Sequence, residues 1–186
     1  MITDALEAIR KRDFPQASRI VGEYESKQIK LPSDNPMAIP SPARTIASDV
    51  EMLGKIFSLR PKILKDLSES DWFALHVARS LSHLLHGRFS EAWLPDGFVG
   101  VSKFSAIVAH RMLQFHLGHV LDIEKMRGLD IKKASIMCTG VNAGTCAACM
   151  KLNERTYTLD SLPQLPNERC TCDMGCRCYI AAEITF

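Results

Sequence analysis

The chain has 186 residues, 46% of them hydrophobic and 24% charged, with a formal net charge of +2. This is the range of an ordinary globular protein with room for one core, or for one core and a small appended module. It excludes a global field that would draw the chain onto nucleic acid or anionic lipid. No apolar run approaches the ~20 residues of a membrane span. The N-terminus, Met1-Ile2-Thr3-Asp4, carries an acid and no apolar signal-peptide stretch, so the expected compartment is the cytoplasm.

Residues 1–30 read as a helical hairpin. Thr3 is placed to cap the first helix, and Asp13 with Pro15 to start the second, since proline suits a first helical turn. Ala17, Ile20, Val21 and Tyr24 then form one apolar stripe. Residues 31–42, LPSDNPMAIPSP, hold four prolines and read as a linker, because each proline also restricts the residue before it. A helical domain is expected over 43–128. Ser41-Pro42 offers a cap and a first-turn proline, Ile46, Val50, Leu53 and Phe57 follow at helical spacing, and Pro61 breaks that helix.

Ser68 to Asp71 resembles a capping box with Asp in place of Glu. A helix over residues 69–86 follows, with Leu75, Ala78, Leu81 and Leu85 inward and Gly87 as its stop. Residues 88–101 read as a loop. A longer helix over 102–127 carries Phe104, Val108, Met112, Phe115, Leu117, Val120 and Leu121 around more than half its circumference. It is therefore expected to be the most buried helix, with Gly128 ending it.

After Gly128 the composition changes. Residues 133–138, KASIMC, suit a short strand. Beyond them come turns, prolines and cysteines, with too few large apolar residues for an independent core. All seven cysteines lie between Cys138 and Cys178. Below about 50 residues a bound metal is a usual source of order. In a reducing compartment a dense local cluster points to metal rather than to a disulfide framework.

The pair Cys146-Ala-Ala-Cys149 lets two sulfurs reach one tetrahedral ion while the backbone turns over it. Twenty residues separate it from Cys170-Thr-Cys172-Asp-Met-Gly-Cys176-Arg-Cys178, which matches the spacing of a zinc site. Six candidates, Cys146, Cys149, Cys170, Cys172, Cys176 and Cys178, compete for four places on Zn2+. Cys146 and Cys149 are expected ligands, and spacing does not choose among the other four. Cys138, inside the expected strand, reads as a buried small residue. Disulfides and an iron–sulfur cluster are the competing uses of such thiols. A redox dithiol is disfavoured by the absence of the strand–helix setting that such a motif needs.

The run from Cys146 through Leu152-Asn153, Tyr157, Leu159-Asp160, Leu162-Pro163 and Leu165-Pro166 to the two Cys-x-Cys pairs resembles the C-terminal segment of the phage minor head (head-morphogenesis, Mu F-like) protein family. The resemblance covers residues 120–180. The family's glycine after Leu-Asn is Glu154 here, and its His-Pro is Asn167-Glu168. Its closing Cys-x-Cys falls on Cys170 and Cys172 by position, and on Cys176 and Cys178 by identity. The resemblance implies a role in capsid assembly near a portal, or in a repurposed prophage-derived protein.

The histidines form two i,i+3 pairs, His83/His86 and His116/His119, each on one helix face. No Glu-x-x-His accompanies them, so they read as ordinary surface or core side chains. There is no GxSxG, HExxH or P-loop, and the chain reads as a non-enzyme. From Cys138 onward four basic residues (Lys151, Arg155, Arg169, Arg177) face five acidic ones (Glu154, Asp160, Glu168, Asp173, Glu183), which is not the footprint of a phosphate binder.

The sequence thus predicts a mainly α protein, with a helical N-terminal domain and a small C-terminal Cys-ligated zinc module of short strands and loops over 129–186. The expected function is a structural, assembly or adaptor role with a protein partner or self-association. The alternative is a nucleic-acid-associated zinc-binding regulatory protein. No membrane role is expected.

Overall fold

The structure, a computed structural model, describes residues 1–28, 45–98, 104–139 and 144–184. The proline-rich segment 31–42, the Ser41-Pro42 helix start and Gly100 of the expected loop lie outside the described residues. Among the described residues there are six α-helices, two short 3-10 turns and three strands. No described helix is long and apolar enough to cross a membrane.

The chain divides into two compact units, residues 1–58 with 73–96, and residues 59–72 with 97–186. The long helix expected to end the helical domain therefore shares a unit with the cysteine-rich tail.

In the first unit, helix α1 (Ile2–Arg10) and helix α2 (Phe14–Gln28) form the expected hairpin. Met1, not Thr3, precedes α1 as its cap residue, and the terminal ammonium of Met1 pairs with Asp4 at 2.9 Å. Asp13 caps α2 as expected, its Oδ1 accepting the Gln16 N–H at 3.1 Å. Asp13→Ala is expected to cost about 1 kcal/mol, read as a lowered urea midpoint with unchanged slope.

Helix α3 (Ile46–Ser58) begins under a Thr45 cap, whose Oγ1 accepts the Ser48 N–H at 3.1 Å. Its buried face is Asp49, Leu53 and Ile56, turned from the expected stripe, and Ile46 is exposed. The rotation brings the Asp49 carboxylate inside, where it accepts the Ser18 hydroxyl. A buried carboxylate requires such a partner.

Helix α4 (Glu69–Leu84) starts as the sequence indicates, with Ser68 Oγ accepting the Asp71 N–H at 3.1 Å. Leu75, Ala78 and Leu81 are fully buried, and Leu85 nearly so. Ile9, Ala17, Val21, Leu53, Leu81 and Leu84 belong to the core of this unit, and Trp93, on a 3-10 turn within the expected loop, joins it. Gly87, at φ +86°, ends the helical segment and donates its N–H to Ser82 O at 2.7 Å.

In the second unit, helix α5 (Ala106–Gly128) is the longest, and its buried residues include Val108, Met112, Leu113 and Leu117. Phe115, expected inward, is exposed. Three histidines, His110, His116 and His119, take buried positions instead. After α5 the left-handed turn falls at Asp130 (φ +57°) rather than at Gly128.

Strand β1 (Lys133–Cys138) coincides with the expected strand. It is the middle strand of a three-stranded antiparallel sheet, paired with β2 (Arg155–Thr158) on one side and β3 (Cys178–Ala182) on the other. Ala134, Ser135 and Ile136 are buried accordingly. The Ser135 hydroxyl is bonded to Thr156 Oγ1, at 2.8 Å, and to the Glu183 carboxylate.

Candidate metal centre

Cys146 precedes a single helical turn, α6 (Ala147–Met150). The two intervening alanines place Cys146 and Cys149 three apart on that turn, so both sulfurs lie on one side of it. The Cys149 N–H bonds back to Cys146 O at 3.0 Å. The second cysteine group arrives on tight turns: Cys170 N–H bonds to Asn167 O at 3.0 Å, and Gly175 N–H to Cys172 O at 2.9 Å. Gly175 lies at φ +78°, a conformation glycine adopts at little cost. It delivers Cys176 against α5, where the Cys176 N–H donates to the Met112 thioether at 3.2 Å.

The sulfurs gather into two overlapping groups. Cys146, Cys149 and Cys170 lie within 4.8 Å of one another, and so do Cys149, Cys176 and Cys178. Such groups could hold a metal ion. Cys146 and Cys170 are 3.9 Å apart, and Cys149 and Cys176 are 3.8 Å apart. All seven cysteines are free.

Of the six sequence candidates, the fold brings five together. Cys172 belongs to neither group. Its sulfur accepts the Cys146 N–H at 3.4 Å and lies 3.4 Å from Gly144 O. Cys138 is buried as expected, but its sulfur stands 3.0 Å from that of Cys178.

Backbone and side-chain amides point at four of these sulfurs. Thr171 N–H donates to Cys146 at 3.4 Å, Cys172 N–H to Cys170 at 3.4 Å, and Asn167 N–H to Cys176 at 3.3 Å. The Asn167 Nδ2 amide reaches Cys149 at 3.8 Å. Asn167 is the residue that sequence reasoning missed: it appeared only as a departure from the family's His-Pro. A short amide side chain just ahead of a Cys-x-Cys pair is the signal that points to it. Met112 was read simply as core.

Burial pushes the Cys146 thiol up, but the amides of Thr171 and Cys149 outweigh it and hold the thiol at about 6. Cys176 is drawn well below the thiol range by Cys149, Cys170 and Cys178 together, while Cys149, Cys176 and burial push Cys170 up. Thiolates crowded this way suppress one another's ionisation unless a cation neutralises them.

No histidine belongs to either sulfur group. His86 lies past the end of α4 and pairs with Glu25 at 2.8 Å. His116 Nδ1 and Leu165 O are 2.7 Å apart, so the imidazole is placed to donate there, tying the Leu-Pro turn to α5. His119 is buried with Nδ1 unpartnered. Burial and the neighbouring His116, opposed in part by Cys176, lower it to about 4 from its ordinary 6.5. An unfolded His119 takes up a proton as pH drops below 6.5, and the folded one does so only near 4. Stability is therefore intact above 6.5 and falls by about 3 kcal/mol as pH drops to about 4. A His119→Gln chain should show a flatter fall of the urea midpoint over that window than the parent.

Comparisons with family models, curated proteins and solved structures give no match to this chain.

Proposed function

We propose that the protein is a non-enzymatic assembly or adaptor protein. In this reading one structural Zn2+ ion, held by Cys146, Cys149, Cys170 and Cys176, staples its C-terminal segment. The observation that carries the ligand set is that each of these sulfurs belongs to a sulfur group and is met by an N–H donor; Cys172, also met by one, belongs to neither group. Such donors stabilise thiolate charge. Zn–S bonds of about 2.3 Å in a tetrahedron put sulfurs about 3.8 Å apart; the pairs Cys146/Cys170 and Cys149/Cys176 match this at 3.9 and 3.8 Å, and Cys176, which shares a group with Cys149 but not with Cys146 and Cys170, would move inward on binding.

Cys178 is the rival for the fourth place. Its sulfur lies within 4.8 Å of those of Cys149 and Cys176, but among the described residues it receives no amide donor, and its nearest sulfur is that of Cys138 at 3.0 Å. Four thiolates close the shell, leaving no position for water or substrate, which is the pattern of a structural site. The ion would supply cohesion that the few large apolar side chains of the tail do not.

The assembly reading draws on the resemblance to minor head proteins and on the apolar side chains beside the cysteines. Met150, Met174 and Tyr179 are each within two residues of a cysteine, and each is exposed. Exposed apolar groups held on a stapled scaffold suit a protein partner.

Protein purified under reducing conditions should hold one zinc per chain by elemental analysis. Cobalt substitution should give the visible spectrum of a tetrahedral tetrathiolate. Metal-free folded protein, or a cobalt spectrum with oxygen or nitrogen ligands, would overturn the reading. Sedimentation of the loaded chain, alone and with candidate capsid proteins, tests the assembly role, and a monomer that binds none of them counts against it.

A further inference from the structure

The proposed ligand set leaves Cys138, Cys172 and Cys178 over, and Cys138 and Cys178 face each other across β1 and β3 as direct partners in the register. In the middle strand the hydrogen-bonding groups of successive residues alternate between the two neighbouring strands. Ile136 O accepts Glu154 N–H, and Cys138 N–H donates to Asn153 Oδ1 at 2.8 Å. Both therefore direct their backbone groups toward the β2 side. Cys138 and Cys178 thus form a non-hydrogen-bonded pair, the position where opposed Cα atoms approach to about 4.5 Å. That spacing lies inside the range a disulfide spans.

The sulfurs stand 3.0 Å apart, about 1 Å beyond a covalent S–S bond. The Cys138 thiol donates to Cys149 O at 3.3 Å, as an S–H and not a metal-bound thiolate would. A cavity of about 10 Å3 adjoins the pair, lined by Thr139, Thr145, Cys149, Cys172 and Arg177 as well as by Cys138 and Cys178. It is about the size of a single water.

We infer that Cys138 and Cys178 form a second sulfur site adjoining the metal centre, with Cys178 within 4.8 Å of Cys149 and Cys176: a dithiol that hydrogen peroxide closes to a cross-strand disulfide while the metal stays bound. One sulfur attacks a peroxide oxygen, the O–O bond breaks, and a sulfenic acid and water result. The second sulfur then attacks the first and displaces the sulfenic oxygen as a second water. Two S–H bonds are lost and one S–S bond forms. The cysteines give up two electrons, and hydrogen peroxide is reduced to two waters. The inference rests on the proposed function only for the metal's retention.

The test treats the full metal-loaded chain with graded hydrogen peroxide. It then maps peptides after thiol alkylation and follows released zinc with a chromophoric chelator. The expected result is a Cys138–Cys178 linked peptide formed before any other oxidation, reversed by dithiothreitol, with zinc retained. The Cys138→Ser chain should hold the same zinc and form no linked peptide. Absence of that link in the parent chain, or oxidation of Cys146, Cys149, Cys170 or Cys176 ahead of it, would overturn the pair. Zinc released in step with the link would overturn the separation of the two sites. If the purified chain holds no metal, the metal reading fails alone, and the order of oxidation in the untreated chain still decides the pair.

Discussion

A Cys149→Ser chain is expected to purify without metal and with residues from Cys138 onward unfolded. Cys149 is 1% exposed and belongs to both sulfur groups, so no neighbouring thiol takes its place. Structural zinc sites contribute about 10–16 kcal/mol of apparent binding free energy. A hydroxyl in place of a thiolate gives up most of that. Elemental analysis should fall from one zinc to none, and near-UV circular dichroism from Tyr157 and Tyr179 should collapse. Cys146→Ser, Cys170→Ser and Cys176→Ser should behave alike. Cys172→Ser and Cys178→Ser should retain the metal. A chain that loses zinc on Cys178→Ser and keeps it on Cys176→Ser would reassign the fourth ligand.

Gly175→Ala is expected to cost about 2–4 kcal/mol, the next largest effect. Two independent causes add. The residue lies at φ +78°, where a Cβ is strained. A Cβ built there would also meet Met112 Cε at 2.3 Å, Met112 Sδ at 2.7 Å and Val108 Cγ1 at 3.2 Å. The methionine end is flexible and could swing away, but its sulfur accepts the Cys176 N–H, so relief would undo the contact that seats Cys176. The expected readouts are a lowered denaturation midpoint and faster zinc transfer to a competing chelator. A Met112→Ala background should remove the clash and leave the dihedral strain, so Gly175→Ala should cost less there. Equal costs in both backgrounds would show that crowding against α5 plays no part.

Much of the fold was legible in the residues. Helical spacing located α4 and α5, Asp13 marked the start of α2 and Ser68 that of α4, and the apolar run before Cys138 marked β1. These are local signals, in which one residue's chemistry acts on a neighbour a turn away. The Thr45 start of α3 was missed because Ser41-Pro42 offers the same chemistry four residues earlier. The inward turn of Asp49 was missed because its partner, Ser18, lies 31 residues away. Phe115 and the buried histidines of α5 reversed the expected pattern for a similar reason: Leu165 O, 49 residues on, gives His116 its buried hydrogen bond.

The seven thiols, their confinement to one segment and the Cys146/Cys149 spacing were fixed by the amino-acid order alone, and they are what point to a tail that could hold a metal ion. That order could not rank Cys170, Cys172, Cys176 and Cys178, because two Cys-x-Cys pairs offer equivalent reach to one ion. The tertiary structure gives them different surroundings. The glycine turn at 175 sets Cys176 on α5 beside Cys149, the Asn167 amides point at both sulfurs, and the pairing of β1 with β3 carries Cys178 to Cys138. The physical reason is that ligand choice depends on where amide donors and strand partners lie in space, and those come from residues up to 40 positions away.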